Sequence, residues 1–260
     1  ISSAASDVYK RQPFALHPVL KKAMVALGFN TPTAVQAATL PPSLGTDATP
    51  PRDVVGVAQT GSGKTLAYAL PILQYILENT AHSQDPARSL EALVLTPTRE
   101  LALQVCSHIR AVVEAGGRFA NVAAICGGMS VQKQERVLLQ HGGAHIVVAT
   151  PGRLWDMIKH DDALALRVRR TRFLVIDEAD RMIEAGHFAE MDLLLQMVRR
   201  TKGAAADANP DMQTFVYSAT MSKALQTNLK RALWRKKQRR EAEPSNTLDD
   251  LLAVSYTHLT

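Results

Sequence analysis

The chain has 260 residues, of which 46% are hydrophobic and 21% are charged, and its formal net charge is +6. This composition is typical of a folded globular protein and excludes a disordered chain. No apolar run approaches the roughly 20 residues that span a bilayer, so no membrane partner is expected. Two cysteines outside any CxxC pattern exclude a disulfide framework and a zinc site of the usual spacing.

Most of the positive charge lies in one short segment. Residues 230–240 carry seven basic and no acidic side chains, and the rest of the chain is close to neutral. We interpret this segment as a solvated linker, and contact with RNA remains the alternative. Bulk charge therefore gives no argument for nucleic-acid binding, which must rest on particular residues.

The apolar pattern predicts alternating helices and strands. A helix is expected over 16–27, and a loop over the Pro- and Thr-rich segment 40–52. Short apolar runs predict six strands, at 53–58, 92–97, 121–126, 145–150, 172–177 and 214–220. Helices are expected between and after them, at 65–78, 99–115, 130–141, 152–160, 186–200 and 222–234. Continuous apolar strands that alternate with helices indicate a parallel sheet with helices on both faces.

A Gly-rich loop follows the first predicted strand and precedes a helix. It reads Ala58-Gln59-Thr60-Gly61-Ser62-Gly63-Lys64-Thr65, and only Ala58 departs from the P-loop pattern GxxxxGK[ST]. In such a loop, backbone N–H groups and a helix N-terminus surround a phosphate. Lys64 would reach the β- and γ-phosphates of a nucleotide, and the Thr65 hydroxyl would bind Mg²⁺. The alternative is a Gly-rich turn that matches the pattern by chance.

Two carboxylates follow the fifth predicted strand. This strand ends at Asp177, which places a carboxylate at the carboxyl edge of the sheet beside the P-loop. Asp177 is expected to hold Mg²⁺, and Glu178 to orient and deprotonate the attacking water. Lys64, Asp177 and Glu178 are therefore the predicted catalytic residues. A solvated helix start is the alternative for this acidic cluster.

Asp177-Glu178-Ala179-Asp180 spells the box that gives the DEAD-box helicase family its name, and the chain resembles this family over about residues 14–235. The segment from Gly28 to Gln36 resembles the family's Q motif, with Phe14 as an upstream aromatic residue. The resemblance implies that ATP is the nucleotide and Mg²⁺ its metal, with Thr65 and Asp177 as the metal ligands. It assigns adenine and phosphate contacts to Phe29, Thr31, Gln36, Gln59, Thr60, Gly61, Ser62, Gly63, Lys64 and Thr65.

Three further motifs resemble the RNA-contacting motifs of the family. They contain Pro97, Thr98, Arg99, Gly127, Gly128, Thr150, Pro151, Gly152 and Arg153. Each motif follows a strand end and starts a helix, so backbone N–H groups and two arginines would grip phosphate and sugar without reading base sequence. The alternatives are that Arg99 pairs with a carboxylate, that Pro151 only caps a helix, and that the two glycines only form a turn.

Ser218-Ala219-Thr220 resembles the motif that links the ATP state to strand separation. The two hydroxyls lie at the end of the last predicted strand. They are expected to hydrogen-bond Asp180 or Glu178 and so to sense the γ-phosphate. Ordinary strand-end capping is the alternative.

The resemblance implies a RecA-like P-loop NTPase domain over 13–234, an α/β fold whose ligands lie at the carboxyl ends of a mostly parallel sheet. Residues 235–253 are interpreted as a charged linker to a second RecA-like domain in cis, which in the family supplies the arginine fingers. Without those arginines the chain itself is expected to hydrolyse ATP poorly. The segments 1–12 and 254–260 resemble translated sequencing adapters, and native tails are the alternative.

The motifs together predict an ATP-dependent RNA helicase. A non-helicase P-loop motor ATPase and an ATP-gated RNA clamp without productive turnover are the alternatives. Local sequence resembles a nucleolar branch of the family that is associated with large-subunit ribosome assembly. The resemblance lies in segments 143–158 and 174–192 and in the insertion-like segment 43–52. That branch implies a nuclear, nucleolar location, and the cytoplasm is the alternative.

Overall fold

A computed structural model describes residues 15–46, 48–79, 90–128, 130–139, 143–184, 188–198 and 212–220 of the chain. The described residues form a six-stranded parallel sheet that is covered by helices on both faces. The predicted α/β class and the predicted layering are therefore confirmed. Phe14, the basic segment 230–240, the proposed linker and both end segments lie outside the described residues.

All six predicted strands are present, each within two residues of its expected bounds. They are β1 (Val54–Val57), β2 (Ala92–Leu95), β3 (Val122–Ile125), β4 (Ile146–Ala149), β5 (Phe173–Ile176) and β6 (Gln213–Ser218). The order across the sheet is β1-β6-β5-β2-β4-β3, and every neighbouring pair is parallel. The carboxyl ends of parallel strands share one edge, so the loops that follow these strands open along that edge.

The described residues contain nine helices. They are α1 (Pro18–Ala26), α2 (Ala34–Leu44), α3 (Lys64–Asn79), α4 (Arg99–Ala115), α5 (Val131–Leu139), α6 (Pro151–Ile158), α7 (Asp162–Arg169), α8 (Ala179–Glu184) and α9 (Phe188–Val198). Helices α2, α7 and α8 were not predicted, and the helix predicted at 222–234 lies outside the described residues. Among these nine, no helix combines the length and the apolar character that crossing a bilayer requires.

The loop predicted over 40–52 was wrong for residues 40–44, which belong to helix α2. The helix continues through Pro41 and Pro42 and ends at Leu44, before Gly45 takes a φ of +69°. Proline inside a helix removes a backbone donor and favours a break. Here Leu40 is buried in the core that α2 shares with α3, and this packing holds the helical backbone despite the two prolines.

Side chains of the strands alternate between two hydrophobic cores. Val94, Val148 and Val175 point to the face that is covered by α1 to α4. Their neighbours Leu93 and Leu174 point to the opposite face, which is covered by α6, α7 and α9. A strand that is buried on both faces shows a continuous apolar run rather than alternation, which is the pattern seen in the sequence.

Strand β3 lies at one edge of the sheet, and side chains occupy part of its outer side. The carbonyls of Asn121 and Ile125 bond to the β4 side, so the carbonyls of Val122 and Cys126 point away from the sheet. Two N–H groups of Arg110 donate to the Val122 carbonyl at 2.7 and 3.0 Å. Nε2 of Gln134 donates to the Cys126 carbonyl at 2.7 Å. Both ends of this edge strand are therefore hydrogen-bonded from outside the sheet.

Candidate functional site

The sheet order divides the predicted site residues into two groups along one edge. The P-loop follows β1, Ser218 ends β6, and the four acidic-box residues follow β5, and these three strands are neighbours. The predicted RNA-contacting residues follow β2, β4 and β3, which form the other half of the sheet. The fold thus brings all of these motifs to the same edge, with the nucleotide candidates and the RNA candidates side by side.

The P-loop begins after β1 and leads into α3. Gly61 and Gly63 have φ values of +81° and +96°, which favour glycine over any residue with a side chain. Lys64 is only 7% exposed, and its Nζ donates to the carbonyl of Ala58 at 2.7 Å. The ammonium group therefore lies inside the curve of the loop that it follows.

A cavity of about 490 Å³ adjoins the P-loop. Its polar wall contains Lys64, Thr65, Asp177 and Glu178, and its apolar wall includes Phe29. Ser62 Oγ is buried and has no hydrogen-bond partner among the described residues. An unpaired buried hydroxyl next to a positively charged loop fits a phosphate oxygen as its missing partner.

Four of the predicted nucleotide residues lie outside the lining of this cavity: Thr31, Gln36, Gln59 and Ser62. Gln36 instead braces the P-loop. Its Oε1 accepts from the N–H of Thr33 at 3.0 Å, and its Nε2 donates to the carbonyl of Gly63 at 3.0 Å. A Cβ on Gly63 would lie 2.6 Å from that Nε2, so any side chain at position 63 would displace the Gln36 side chain. Recognition of the adenine edge by Gln36 stays a prediction.

Asp177 is 3% exposed, and both of its carboxylate oxygens are hydrogen-bonded. Oδ2 accepts from the hydroxyl of Tyr68 at 2.8 Å, and Oδ1 accepts from the N–H of Glu178 at 3.0 Å. Burial raises the pKa of Asp177, against the lowering effects of the Tyr68 hydrogen bond and the Lys64 charge. Burial also raises the pKa of Tyr68 far above its ordinary value, so its hydroxyl remains a donor. Sequence analysis missed this tyrosine, because it lies in an apolar helix.

Glu178 has a φ of +51°, a left-handed conformation that is unfavourable for a residue with a side chain. Such backbone strain occurs preferentially at functional sites. The side chain is buried, and its Oε2 lies 3.3 Å from Nη1 of Arg181, which is exposed. The strained backbone and this ion pair hold the Glu178 carboxylate at the wall of the cavity.

Asp180 joins the acidic box to the end of β6. Its Oδ2 accepts from the N–H of Thr220 at 2.9 Å and from the hydroxyl of Thr220 at 2.7 Å, and Ser218 Oγ donates to the Thr220 carbonyl. Burial raises the pKa of Asp180, but hydrogen bonds from Thr220 and from the N–H of Arg181 outweigh burial and hold that pKa below its ordinary value. Ala219 lies between the two hydroxyl residues, and the coupling role of this segment stays a prediction.

Arg99 connects two of the predicted RNA motifs. Its Nη1 donates to the carbonyl of Gly127 at 2.7 Å, and a Cβ on Gly128 would lie only 1.7 Å from the same nitrogen. Thr98, which precedes Arg99, caps α4 by accepting from the N–H of Leu101 at 3.2 Å. Arg99 and both glycines are exposed, while Pro97 is buried.

Arg153 connects the third RNA motif to the same turn through Gln134. Nε of Arg153 donates to Gln134 Oε1 at 3.0 Å, and the Nε2 of this buried glutamine bonds to Cys126, which precedes the two glycines. Thr150 and Pro151 occupy the N-cap and first positions of α6, followed by Gly152. Sequence analysis did not predict a role for Gln134. The one signal that could have indicated it is a polar residue at a helix position that faces the interior.

Comparison with known proteins identifies the family. The sequence profile of the DEAD/DEAH box helicase family matches residues 33–227, and the chain belongs to this family. DEAD-box ATP-dependent RNA helicase 13 of Oryza sativa is 38% identical over 96% of this chain and 32% of its own length. The mak5 ATP-dependent RNA helicases of Aspergillus terreus and Schizosaccharomyces pombe are 40% and 38% identical, over 86% and 88% of this chain and 30% and 32% of their own lengths. The chain spans about a third of the length of these relatives.

Solved structures agree with this assignment. A DEAD box protein from Methanococcus jannaschii superimposes with a TM-score of 0.67 at 30% identity, over 85% of this chain and 52% of that chain. Mss116 bound to ssRNA and UDP-BeF superimposes with a TM-score of 0.70 at 25% identity, over 87% of this chain and 42% of that chain. The predicted RecA-like fold is therefore confirmed.

Proposed function

We propose that this chain is the ATP-binding RecA-like domain of an ATP-dependent RNA helicase. The observation that supports this most strongly is the single sheet edge, where the P-loop and the acidic box share one cavity beside the residues of the RNA motifs. In this arrangement a bound nucleotide and bound RNA would contact neighbouring loops of one rigid sheet.

The nucleotide would be held mainly through its phosphates. The N–H groups of residues 60–65 and the positive end of α3 favour an anion at this place, and Lys64 adds a full charge. Lys64 would exchange its present bond to the Ala58 carbonyl for a phosphate oxygen. The exposed ring of Phe29 in the apolar wall is the side chain available to contact the base.

A Mg²⁺ ion would be shared between the protein and the nucleotide. Among the described residues no cluster of three His, Cys, Asp or Glu side chains could hold a metal on its own. Asp177 and the Thr65 hydroxyl face the same cavity, and Mg²⁺ typically combines one or two protein oxygens with phosphates and waters. The ion would supply charge neutralisation for the transferred phosphoryl group.

Glu178 would remove a proton from the attacking water. Its carboxylate lies at the cavity wall, and its ion pair with Arg181 fixes its orientation. A positioned base of this kind contributes about 10²–10⁴-fold to a rate. The helicase reaction also needs the arginine fingers of a second domain in cis, so we expect slow hydrolysis by this chain alone.

RNA would bind along the carboxyl ends of β2, β4 and β3. Arg99 and Arg153 supply charge there, and the N-termini of α4 and α6 supply N–H groups. The solved Mss116 structure that resembles this fold is described as bound to ssRNA. In the full-length protein, the bonds between Asp180 and Thr220 would report the state of the nucleotide to the RNA side.

A role in ribosome assembly and a nucleolar location extend this proposal. They rest on the local sequence resemblance of 143–158 and 174–192 to that branch, and a cytoplasmic location remains the alternative.

Nucleotide binding and single-turnover hydrolysis test the proposed function. We expect this chain to bind a fluorescent ATP analogue that ATP displaces and GTP does not, and we expect Lys64→Ala to weaken this binding at least about ten-fold. Glu178→Gln should preserve binding and slow hydrolysis by about 10²-fold or more. Equal hydrolysis by wild type and Glu178→Gln would favour the RNA clamp instead, and displacement by every nucleoside triphosphate would contradict adenine recognition.

A further inference from the structure

Tyr68 lies one helical turn after Thr65 in α3 and is fully buried. Its hydroxyl donates to Asp177 Oδ2 at 2.8 Å. Thr65 and Asp177 are the two residues proposed above to hold Mg²⁺. We propose that Tyr68 is a positioning residue that holds Asp177 in place relative to α3, the helix that carries Thr65, an inference that rests on the proposed metal site.

The packing around Tyr68 holds its ring and hydroxyl in a fixed position. The ring lies 5.6 Å from the ring of Tyr217, centroid to centroid, at an interplanar angle of 49°. Tyr217 belongs to β6, and Asp177 follows the neighbouring strand β5. The phenol is therefore held between the P-loop helix and the two strands whose ends carry the acidic box and the Ser-Ala-Thr segment. Movement of α3 relative to the sheet would break its bond to Asp177.

The two hydrogen bonds of Asp177 together fix the plane of its carboxylate. The N–H of Glu178 holds Oδ1, and Tyr68 holds Oδ2. Each carboxylate oxygen has a second lone pair, so a cation can still be bound after both bonds are made. Partners of this kind, which do not touch the metal, typically change metal affinity by about 10–100-fold when they are removed.

The rival explanation is that Tyr68 is only a core residue whose hydroxyl happens to find an acceptor. The chain offers a matched control in Tyr217, which is equally buried, aromatic and part of the same ring pair. Removing either hydroxyl leaves the ring in place. Only the Tyr68 hydroxyl bonds to Asp177, so a general packing effect would appear in both variants and a positioning effect in one.

The test compares Tyr68→Phe, Tyr217→Phe and Asp177→Asn in this chain. Binding of fluorescent mant-ADP is measured across a range of Mg²⁺ concentrations and in EDTA, with thermal unfolding as a separate readout. We expect Tyr68→Phe to raise the Mg²⁺ concentration at half-saturation by about 10-fold and to leave binding in EDTA unchanged. Tyr217→Phe should leave the Mg²⁺ dependence as in wild type.

The outcomes separate this inference from the proposed function. If Asp177→Asn abolishes the Mg²⁺ dependence and Tyr68→Phe does not shift it, the metal site stands and the positioning role is refuted. Equal shifts in Tyr68→Phe and Tyr217→Phe also refute the role, because they indicate a packing effect. If Asp177→Asn retains the wild-type Mg²⁺ dependence, the proposed metal site is itself wrong.

Discussion

Replacing Gly128 with alanine tests whether the turn after β3 positions Arg99. Gly128 has a φ of +76°, and a Cβ there would lie 1.7 Å from Arg99 Nη1. The guanidinium would therefore have to leave the Gly127 carbonyl, to which it now donates at 2.7 Å. Gly127→Ala is the matched control, because a Cβ at that position meets nothing within 4 Å.

The expected size of the effect follows from these contacts. A left-handed alanine costs about 1–2 kcal/mol of folding free energy, and the lost hydrogen bond adds about 1 kcal/mol. If Arg99 grips one RNA phosphate, its displacement should weaken binding by about ten-fold, which corresponds to about 1.4 kcal/mol. The dependence of log affinity on log salt should become shallower by about 0.7 for single-stranded RNA.

Fluorescence anisotropy of a labelled single-stranded RNA at several salt concentrations measures both quantities. Urea unfolding of the same variants shows how much of each population is folded, so that a loss of folding is not counted as a loss of affinity. Arg99→Ala should reproduce the affinity of Gly128→Ala, and the double variant should be no weaker. The reasoning is refuted if Gly127→Ala and Gly128→Ala bind RNA with the same affinity and the same salt dependence.

Three further changes have expected outcomes. Thr220→Val removes one donor to Asp180 and should lower the free energy of unfolding in urea at neutral pH by about 1–2 kcal/mol. Gln134→Leu leaves the buried Cys126 carbonyl without its donor and should cost about 1–3 kcal/mol in the same assay. Burial lowers the pKa of His145 below 6.5, so its contribution to stability is present above pH 6.5 and is lost as pH falls through the folded pKa. His145→Gln should make the free energy of unfolding less dependent on pH in that range.

Each of these expectations can fail in a specific way. A Thr220→Val variant as stable as wild type would show that the N–H of Thr220 alone holds Asp180. An unchanged Gln134→Leu variant would mean that another donor or water satisfies the Cys126 carbonyl. Identical pH profiles for wild type and His145→Gln would contradict a lowered pKa for that histidine.

The strands could be predicted from sequence because burial on both faces of the sheet requires consecutive apolar residues. Leu93, Val94 and Leu95 are apolar in succession because the residues on either face of β2 pack into a core. The acidic box was found for a related reason, since a carboxylate directly after such a run must lie at the sheet edge. The same reasoning placed Asp177 at the sheet edge that also carries the P-loop.

Other features depend on contacts between distant residues and left no readable pattern. Tyr68 is 109 positions from Asp177, and within its helix it is one more apolar residue. The helical conformation of α2 across Pro41 and Pro42 follows from tertiary packing, which overrides the local preference of proline. Helix α7, in contrast, could have been predicted. Asp161 caps it by accepting from the N–H of Leu164, and an aspartate before a helix is a start signal that the sequence shows.

The edge strand β3 has a consequence for how the chain behaves at high concentration. An uncovered edge is a template on which a second chain can add a strand, and such addition leads to aggregation. Here Arg110 and Gln134 occupy outward carbonyls at the two ends of the strand, which shortens the stretch that a foreign strand could pair with. Gln134 also orients Arg153. Gln134 therefore contributes both to the proposed RNA contact of Arg153 and to protection against self-association. Its loss would impair solubility and RNA binding together.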